Sequence, residues 1–192
     1  SAPYPGGILI DQGLDDKFLA EQLHPEAFEA ACTKASQPLT LRRHAGFDHF
    51  FLTWVADEIA KLDAGTTPGW TRTGASLRVW RNAQAATSPV CRFYIPPQLG
   101  DSHFYGRGTA ECDETAAKNP LFVLEDPQFM HVVPPTAGVC PAGNVPVYRV
   151  FSNRADANHR YMTDRGLRDQ MVASGWLAEG DGPDLVVMCA PG

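Results

Sequence analysis

Two patterns of apolar spacing divide the chain. Up to residue 63, short apolar runs alternate with stretches at helical spacing. "GGILIDQG" (6–13) is an apolar run closed by a glycine turn. "HPEAFEAACTKASQ" (24–37) has Pro25 near its start and sets Phe28, Ala31 and Cys32 on a helical stripe. "PLTLRRH" (38–44) alternates Leu39 and Leu41 with polar neighbours, and "HFFLTWVADEIAKLD" (49–63) aligns Phe51, Trp54, Val55, Ile59 and Leu62. Strand, helix, strand, helix is the βαβα grammar of a parallel α/β sheet. Two parallel strands cannot cover both their faces, so residues 1–64 predict the C-terminal end of a larger α/β domain.

The stretch "DAGTTPG" (63–69) is built of turn formers, and residues 65–69 read as a linker. From residue 70 the pattern changes to short aromatic strands with frequent turns, an α+β, strand-rich module over 70–192. It repeats itself. "PVCRFYIPPQLGDSHFYGRGTAEC" (89–112) matches "PVYRVFSNRADANHRYMTDRGLR" (146–168), setting Arg92 against Arg149, His103 against His159 and Tyr105 against Tyr161. "FVLED" (122–126) likewise matches "WLAEG" (176–180). The copies span about 89–130 and 146–189, and "GWTRTG" (69–74) opens a degenerate half-copy over 69–80.

Cys32 stands alone in the first segment, while Cys91, Cys112, Cys140 and Cys189 fall in the module. Their spacing lacks the close pairs of a zinc site, and four cysteines permit three pairings. The repeat chooses among them. Cys91 aligns with Tyr148 and Cys112 with Arg168, so both are missing together from the second copy, as bonded partners would be. Cys91–Cys112 and Cys140–Cys189 are the pairs expected.

With 16 basic against 22 acidic residues the net charge is −6, spread without long single-sign runs. A nucleic-acid partner is not expected. No apolar run approaches the roughly 20 residues of a membrane span. The opening "SAPYPGGILI" has neither a basic head nor a cleavage site, so any export signal is expected upstream of Ser1.

The segment "ILIDQGLDDKFLAEQLHPEAFEAACTKASQPLTLRRHAGFDHFF" (8–51) resembles the C-terminal end of the esterase D family, best known for S-formylglutathione hydrolases. That resemblance implies that Asp16 and His49 are the acid and base of a Ser–Asp–His triad and that the fold is the C-terminal βαβα of an α/β-hydrolase. Both residues follow predicted strands in the order α/β-hydrolases use. The carboxylate would fix the tautomer of His49, and the imidazole would take the serine proton. The chain departs from the pattern in two respects. It has no Gly-x-Ser-x-Gly elbow, the nearest phrases being "GASLR" (74–78) and "GDSHF" (100–104), and "HFF" stands where the family has "HSYY". The chain is therefore expected to be the C-terminal portion of a longer esterase, a cleaved product or an incomplete gene product, inert alone, acting on a small ester substrate only when a nucleophile-bearing segment completes it.

The module's "PVYRVF", "NHRYMT" and "GWLAEG" phrases resemble a repeat of unknown function appended to secreted bacterial enzymes and surface proteins, with "YR.YN", "HFYT" and "GW.YEG" signatures. The resemblance implies attachment to a cell wall or glycan surface, and a non-catalytic carbohydrate-binding module is the alternative reading of the chain. Tyr94, Phe104, Tyr105, Tyr148, Tyr161, Trp70 and Trp176 are expected in the core rather than on a sugar platform. Repetition explains His103 and His159 as structural hydrogen-bond partners, so neither a metal nor a cofactor is expected. Four paired cysteines place the chain in a secreted or periplasmic setting, although esterase D relatives are mostly cytoplasmic.

Overall fold

The computed structural model describes residues 8–13, 34, 39–44, 50–66, 75–154 and 157–192. Contacts divide the chain into two compact units. One comprises Ser1–Asp48 and Leu52–Thr73, the other His49–Phe51 and Gly74–Gly192.

In the first unit, β1 (Ile8–Gly13) and β2 (Leu39–His44) pair in parallel, with Ile8 opposite Leu39 and Gly13 opposite His44. A parallel pair needs a crossover of a dozen or more residues. The chain between the strands supplies it over 14–38; of the helix expected at 24–37, only Lys34 lies among the described residues, and it is helical.

The helix expected over 49–63 is shorter: α1 runs Ala56–Asp63. The physical reason lies in residues 53–55. Val55 is extended (ψ 117°), and the Thr53 hydroxyl accepts the Val55 N–H at 3.0 Å while donating to the Glu58 carboxylate. A threonine that satisfies the backbone locally competes with the helix ladder and sets its start. Phe51, Trp54 and Val55 thus lie outside the helix. Its end follows the Schellman pattern: Gly65 is left-handed (φ 68°), its N–H reaches the Leu62 carbonyl, and the Thr66 N–H reaches that of Lys61.

The second unit is strand-rich and antiparallel. Strands β3 (Ser88–Ile95), β4 (Ser102–Arg107) and β5 (Val123–Val132) form a sheet in the order β4-β3-β5, with α2 (Gly108–Lys118) between β4 and β5. Strands β6 (Asn144–Phe151), β7 (His159–Met162), β8 (Leu177–Glu179) and β9 (Val186–Pro191) form the next, with α3 (Arg165–Ala173) after β7. The two sheets share one register. Arg92 faces Tyr105 and Tyr94 faces His103 in the first; Arg149 faces Tyr161 and Phe151 faces His159 in the second. The long bulged β5 serves β3 as β8 and β9 together serve β6, with β8 along Arg149–Phe151 and β9 along Asn144–Tyr148.

The core runs along consecutive strand positions, with residues 90–93 of β3, 147–150 of β6 and 186–190 of β9 buried throughout. Val90, Phe93, Ile95, Val147, Val150, Val187 and Met188 fill it, together with Met171 of α3. Of the aromatics expected inside, Phe104, Tyr105, Tyr148, Tyr161 and Trp176 are buried, Tyr94 is half-buried, and Trp70 lies outside the described residues. One side chain joins the two sheets at their edges. The Tyr161 hydroxyl accepts the Tyr105 N–H at 2.9 Å and donates to the Tyr105 carbonyl at 3.0 Å. The edge of β4 is thereby bonded to the neighbouring copy.

Candidate functional site

Asp16 and His49, the expected triad acid and base, both lie outside the described residues. Gly13 closes β1 opposite His44, which closes β2, so the two parallel strands end together at their carboxyl ends. In open α/β sheets that end is where functional residues gather.

The described titratable chemistry centres on two matching clusters in the second unit. In the first, Arg92 Nε lies 2.8 Å from the Glu125 carboxylate and His103 Nε2 lies 3.3 Å from the same oxygen. In the second, Arg149 Nε is 2.8 Å and His159 Nε2 is 3.5 Å from Glu179. Each draws Arg from the first strand of its copy, His from the second and Glu from the third. Aromatic rings wall both. Phe51 lies 4.5 Å from the His103 ring and Arg92 sits 4.3 Å from the Phe129 ring centre; Phe104 and Phe151 flank His159 at 4.8 and 4.9 Å.

Electrostatics separate the roles within the second cluster. Burial works against the Arg149 charge, but Tyr161, the hydrogen bonds that Arg149 donates to Glu111 and the Glu179 carboxylate hold its pKa above the ordinary arginine value. Arg149 reaches Glu111 at 2.7 and 3.2 Å, so one buried cation joins a helix of the first copy to a strand of the second. Burial first, and then Arg149, push the His159 imidazole down to about 3. Glu179 alone would favour the imidazolium, yet its charge is already engaged by Arg149, and the neutral ring prevails. Burial raises the Tyr161 phenol well above its ordinary value. These are neutral, hydrogen-bonded or ion-paired groups, suited to holding rings in place. Among the described residues no three His, Cys, Asp or Glu side chains gather as a metal site.

The cysteines are bonded Cys91–Cys112 and Cys140–Cys189, the pairs the repeat comparison gives. The first closes 21 residues between β3 and α2, and the second ties the loop after β5 to β9 across 49. A second ion pair couples the copies, Arg107 gripping Asp181 in a bidentate contact at 2.5 and 2.9 Å. That hydrogen-bonded arginine holds the Asp181 carboxyl below its usual range.

Sequence reasoning missed Glu111, Glu125, Glu179 and Asp181. A signal existed for two of them: Glu125 and Glu179 align within "FVLED" and "WLAEG", beside the aligned arginines and histidines.

Residues 40–183 match the family model of Domain of unknown function (DUF5648). The chain belongs to this family. The DUF5648 match thus takes in both Arg–His–Glu clusters and the Cys91–Cys112 bond and begins nine residues before His49. A different likeness covers a shorter part. The S-formylglutathione hydrolase of Arabidopsis thaliana is 50% identical over 56 residues, 28% of this chain and 20% of that protein. The S-formylglutathione hydrolase of Bos taurus is 48% identical over 63 residues, 29% of this chain and 22% of the relative. That of Paracoccus denitrificans is 46% identical over 59 residues, 29% and 21% respectively. The chain therefore spans about a fifth of the length of these relatives and carries an esterase-like segment. No solved structure matches. No described helix is long and apolar enough to cross a membrane.

Proposed function

We propose that residues 1–64 are the C-terminal portion of a serine carboxylic-ester hydrolase of the esterase D type, supplying Asp16 and His49 to a triad, with residues 70–192 an appended extracellular module. The observation that carries this reading is the identity of about half over 56 residues to proteins named S-formylglutathione hydrolase. The adjoining carboxyl ends of β1 and β2 support it, because the acid and base of such a triad both issue there. In the proposed chemistry His49 removes the proton of a serine supplied by a nucleophile-bearing segment, and Asp16 stabilises the resulting imidazolium. The two disulfides support an oxidising compartment, secreted or periplasmic.

Ester hydrolysis tests the reading directly. This polypeptide alone should turn over neither a p-nitrophenyl ester nor S-formylglutathione. Joined to the nucleophile-bearing segment of a relative, it should gain activity that His49→Ala and Asp16→Asn each reduce by about a thousandfold or more. Completion without activity, or activity indifferent to both substitutions, overturns it. The repeat phrases "PVYRVF", "NHRYMT" and "GWLAEG" carry a second reading for the module, attachment to a wall or glycan surface. Retention on an immobilised cell-wall or glycan matrix tests that reading.

A further inference from the structure

The two Arg–His–Glu clusters each receive an aromatic ring from chain that precedes their own copy. At the second cluster the ring is Phe104: it lies 4.8 Å from His159, and Arg149 sits 4.9 Å from its centre. At the first cluster the ring is Phe51: it lies 4.5 Å from His103, and Arg92 sits 5.5 Å from its centre. Phe50 lies beside it, its N–H directed at the Ser102 hydroxyl at 3.5 Å and its ring 6.0 Å from Tyr161.

The sequence repeats the donor as well as the receptor. His49-Phe50-Phe51, His103-Phe104-Tyr105 and His159-Arg160-Tyr161 are three versions of one tripeptide, and a helix follows each, at Ala56, Gly108 and Arg165. Phe104 is the first aromatic of its tripeptide and Phe51 the second, so the donors differ by one position. In the receiving clusters the carboxylates of Glu125 and Glu179 hold the guanidinium through Nε, so that rings meet it, Phe129 at 4.3 Å and Phe51 at 5.5 Å for Arg92 and Phe104 at 4.9 Å for Arg149. A guanidinium so fixed offers a cation–π platform without a further ordering cost.

We propose that the cluster of Arg92, His103 and Glu125 is a receptor site for an aromatic side chain, and that in this chain its occupant is Phe51. Phe104 in the second cluster is the internal precedent: the array passes one ring forward at each step, and the first receptor takes its ring from the segment that precedes the array. The site therefore selects what is fused upstream of it, an aromatic pair directly after a histidine. This inference does not rest on the hydrolase reading and survives its failure.

The test uses the whole chain and the imidazole protons of His103 observed by NMR. A ring 4.5 Å from His103 and tilted by 56° against it displaces those signals from their ordinary positions. In Phe51→Leu, which keeps apolar bulk, they should return toward ordinary positions while those of His159 stay in place. In the Phe50→Ala/Phe51→Ala chain, a synthetic peptide of residues 46–55 should move them back in a saturable titration. The same peptide carrying Phe51→Leu should not, nor should the unmodified peptide act on the wild-type chain, whose receptor is filled. Near-UV circular dichroism and two intact disulfides certify each variant as folded. His103 signals indifferent to Phe51→Leu, no response to the peptide, or an equal response to its leucine form each overturn the proposal.

Discussion

The Arg168 guanidinium lies 5.0 Å from the ring centre of Tyr148, at the two positions that carry Cys91 and Cys112 in the preceding copy. The same strand-to-helix junction is therefore closed covalently in one copy and by a cation over a ring in the next. Arg168 also donates to the Asp184 carbonyl at 3.1 Å. Because the backbone frames correspond, Tyr148→Cys combined with Arg168→Cys should oxidise to a third disulfide, visible by mass spectrometry of a non-reduced digest. The bond would constrain the unfolded chain by about 3 kcal/mol, offset by a comparable loss from the vacated Tyr148 volume, so the unfolding midpoint should move little. Arg168→Leu alone should cost about 1 to 2 kcal/mol through the lost cation–π contact and carbonyl partner.

Gly106 on β4 lies against the Cys91–Cys112 bond. A Cβ added there would sit 2.9 Å from one sulfur and 3.2 Å from the other. Both sulfurs are fixed by their bond and by buried neighbours, so neither has an open direction to retreat into. Gly106→Ala should therefore either strain the sheet, lowering stability by about 2 kcal/mol, or leave the pair reduced, forfeiting about 3 kcal/mol of chain constraint. Thiol titration of the unfolded protein together with a urea midpoint reads both outcomes. An unchanged midpoint with no added thiol contradicts the close approach.

Stability should fall on mild acidification because of His159. Its folded-state pKa, about 3, is depressed below the ordinary value of 6.5 by burial and Arg149. The unfolded chain therefore binds the proton first. Stability is whole above about pH 6.5 and declines by roughly 1.4 kcal/mol per pH unit as pH falls toward 3. Urea midpoints at pH 7.5, 6.0 and 5.0 should descend in the wild type and descend less steeply in His159→Gln, which keeps a donor toward Glu179 without titrating.

The repeat was the most informative part of the sequence, because Arg92 and Arg149, and His103 and His159, occupy matching places on matching strands, and Glu125 and Glu179 reach the same arginine atom although Arg92 is opposite Asp126 across a bulge and Arg149 opposite Glu179. Apolar spacing points to a helix over 49–63, and α1 lies within that range. It could not give the start of α1, where an apolar stripe continued smoothly across Thr53 but the hydroxyl ended the helix by bonding locally. Nor could it give contacts that cross between copies. Glu111 meets Arg149 across 38 residues and Arg107 meets Asp181 across 74, and neither pair has a counterpart within a single copy's pattern. The assignment of Asp16 and His49 rests on likeness to a family alone, since an Asp and a His thirty-odd residues apart carry no period of their own.

Tyr161→Phe isolates a single hydroxyl at the junction of the two sheets. The residue is buried, and its oxygen serves both the N–H and the carbonyl of Tyr105. The substitution changes no volume that packing would notice, and it removes the hydroxyl bonded to both backbone groups of Tyr105. Each hydrogen bond lost at this buried position costs about 1 kcal/mol, so the urea midpoint should drop well beyond what loss of one exposed hydroxyl would produce. A second signature separates this cause from a general loosening. Burial raises the Tyr161 pKa in the folded state, so the unfolded chain ionises first and the wild type should lose stability as pH rises above about 10. The phenylalanine variant has no proton to lose at that position, and its alkaline slope should be correspondingly shallower. Equal slopes in the two proteins would mean that the phenol is not held as the two hydrogen bonds require.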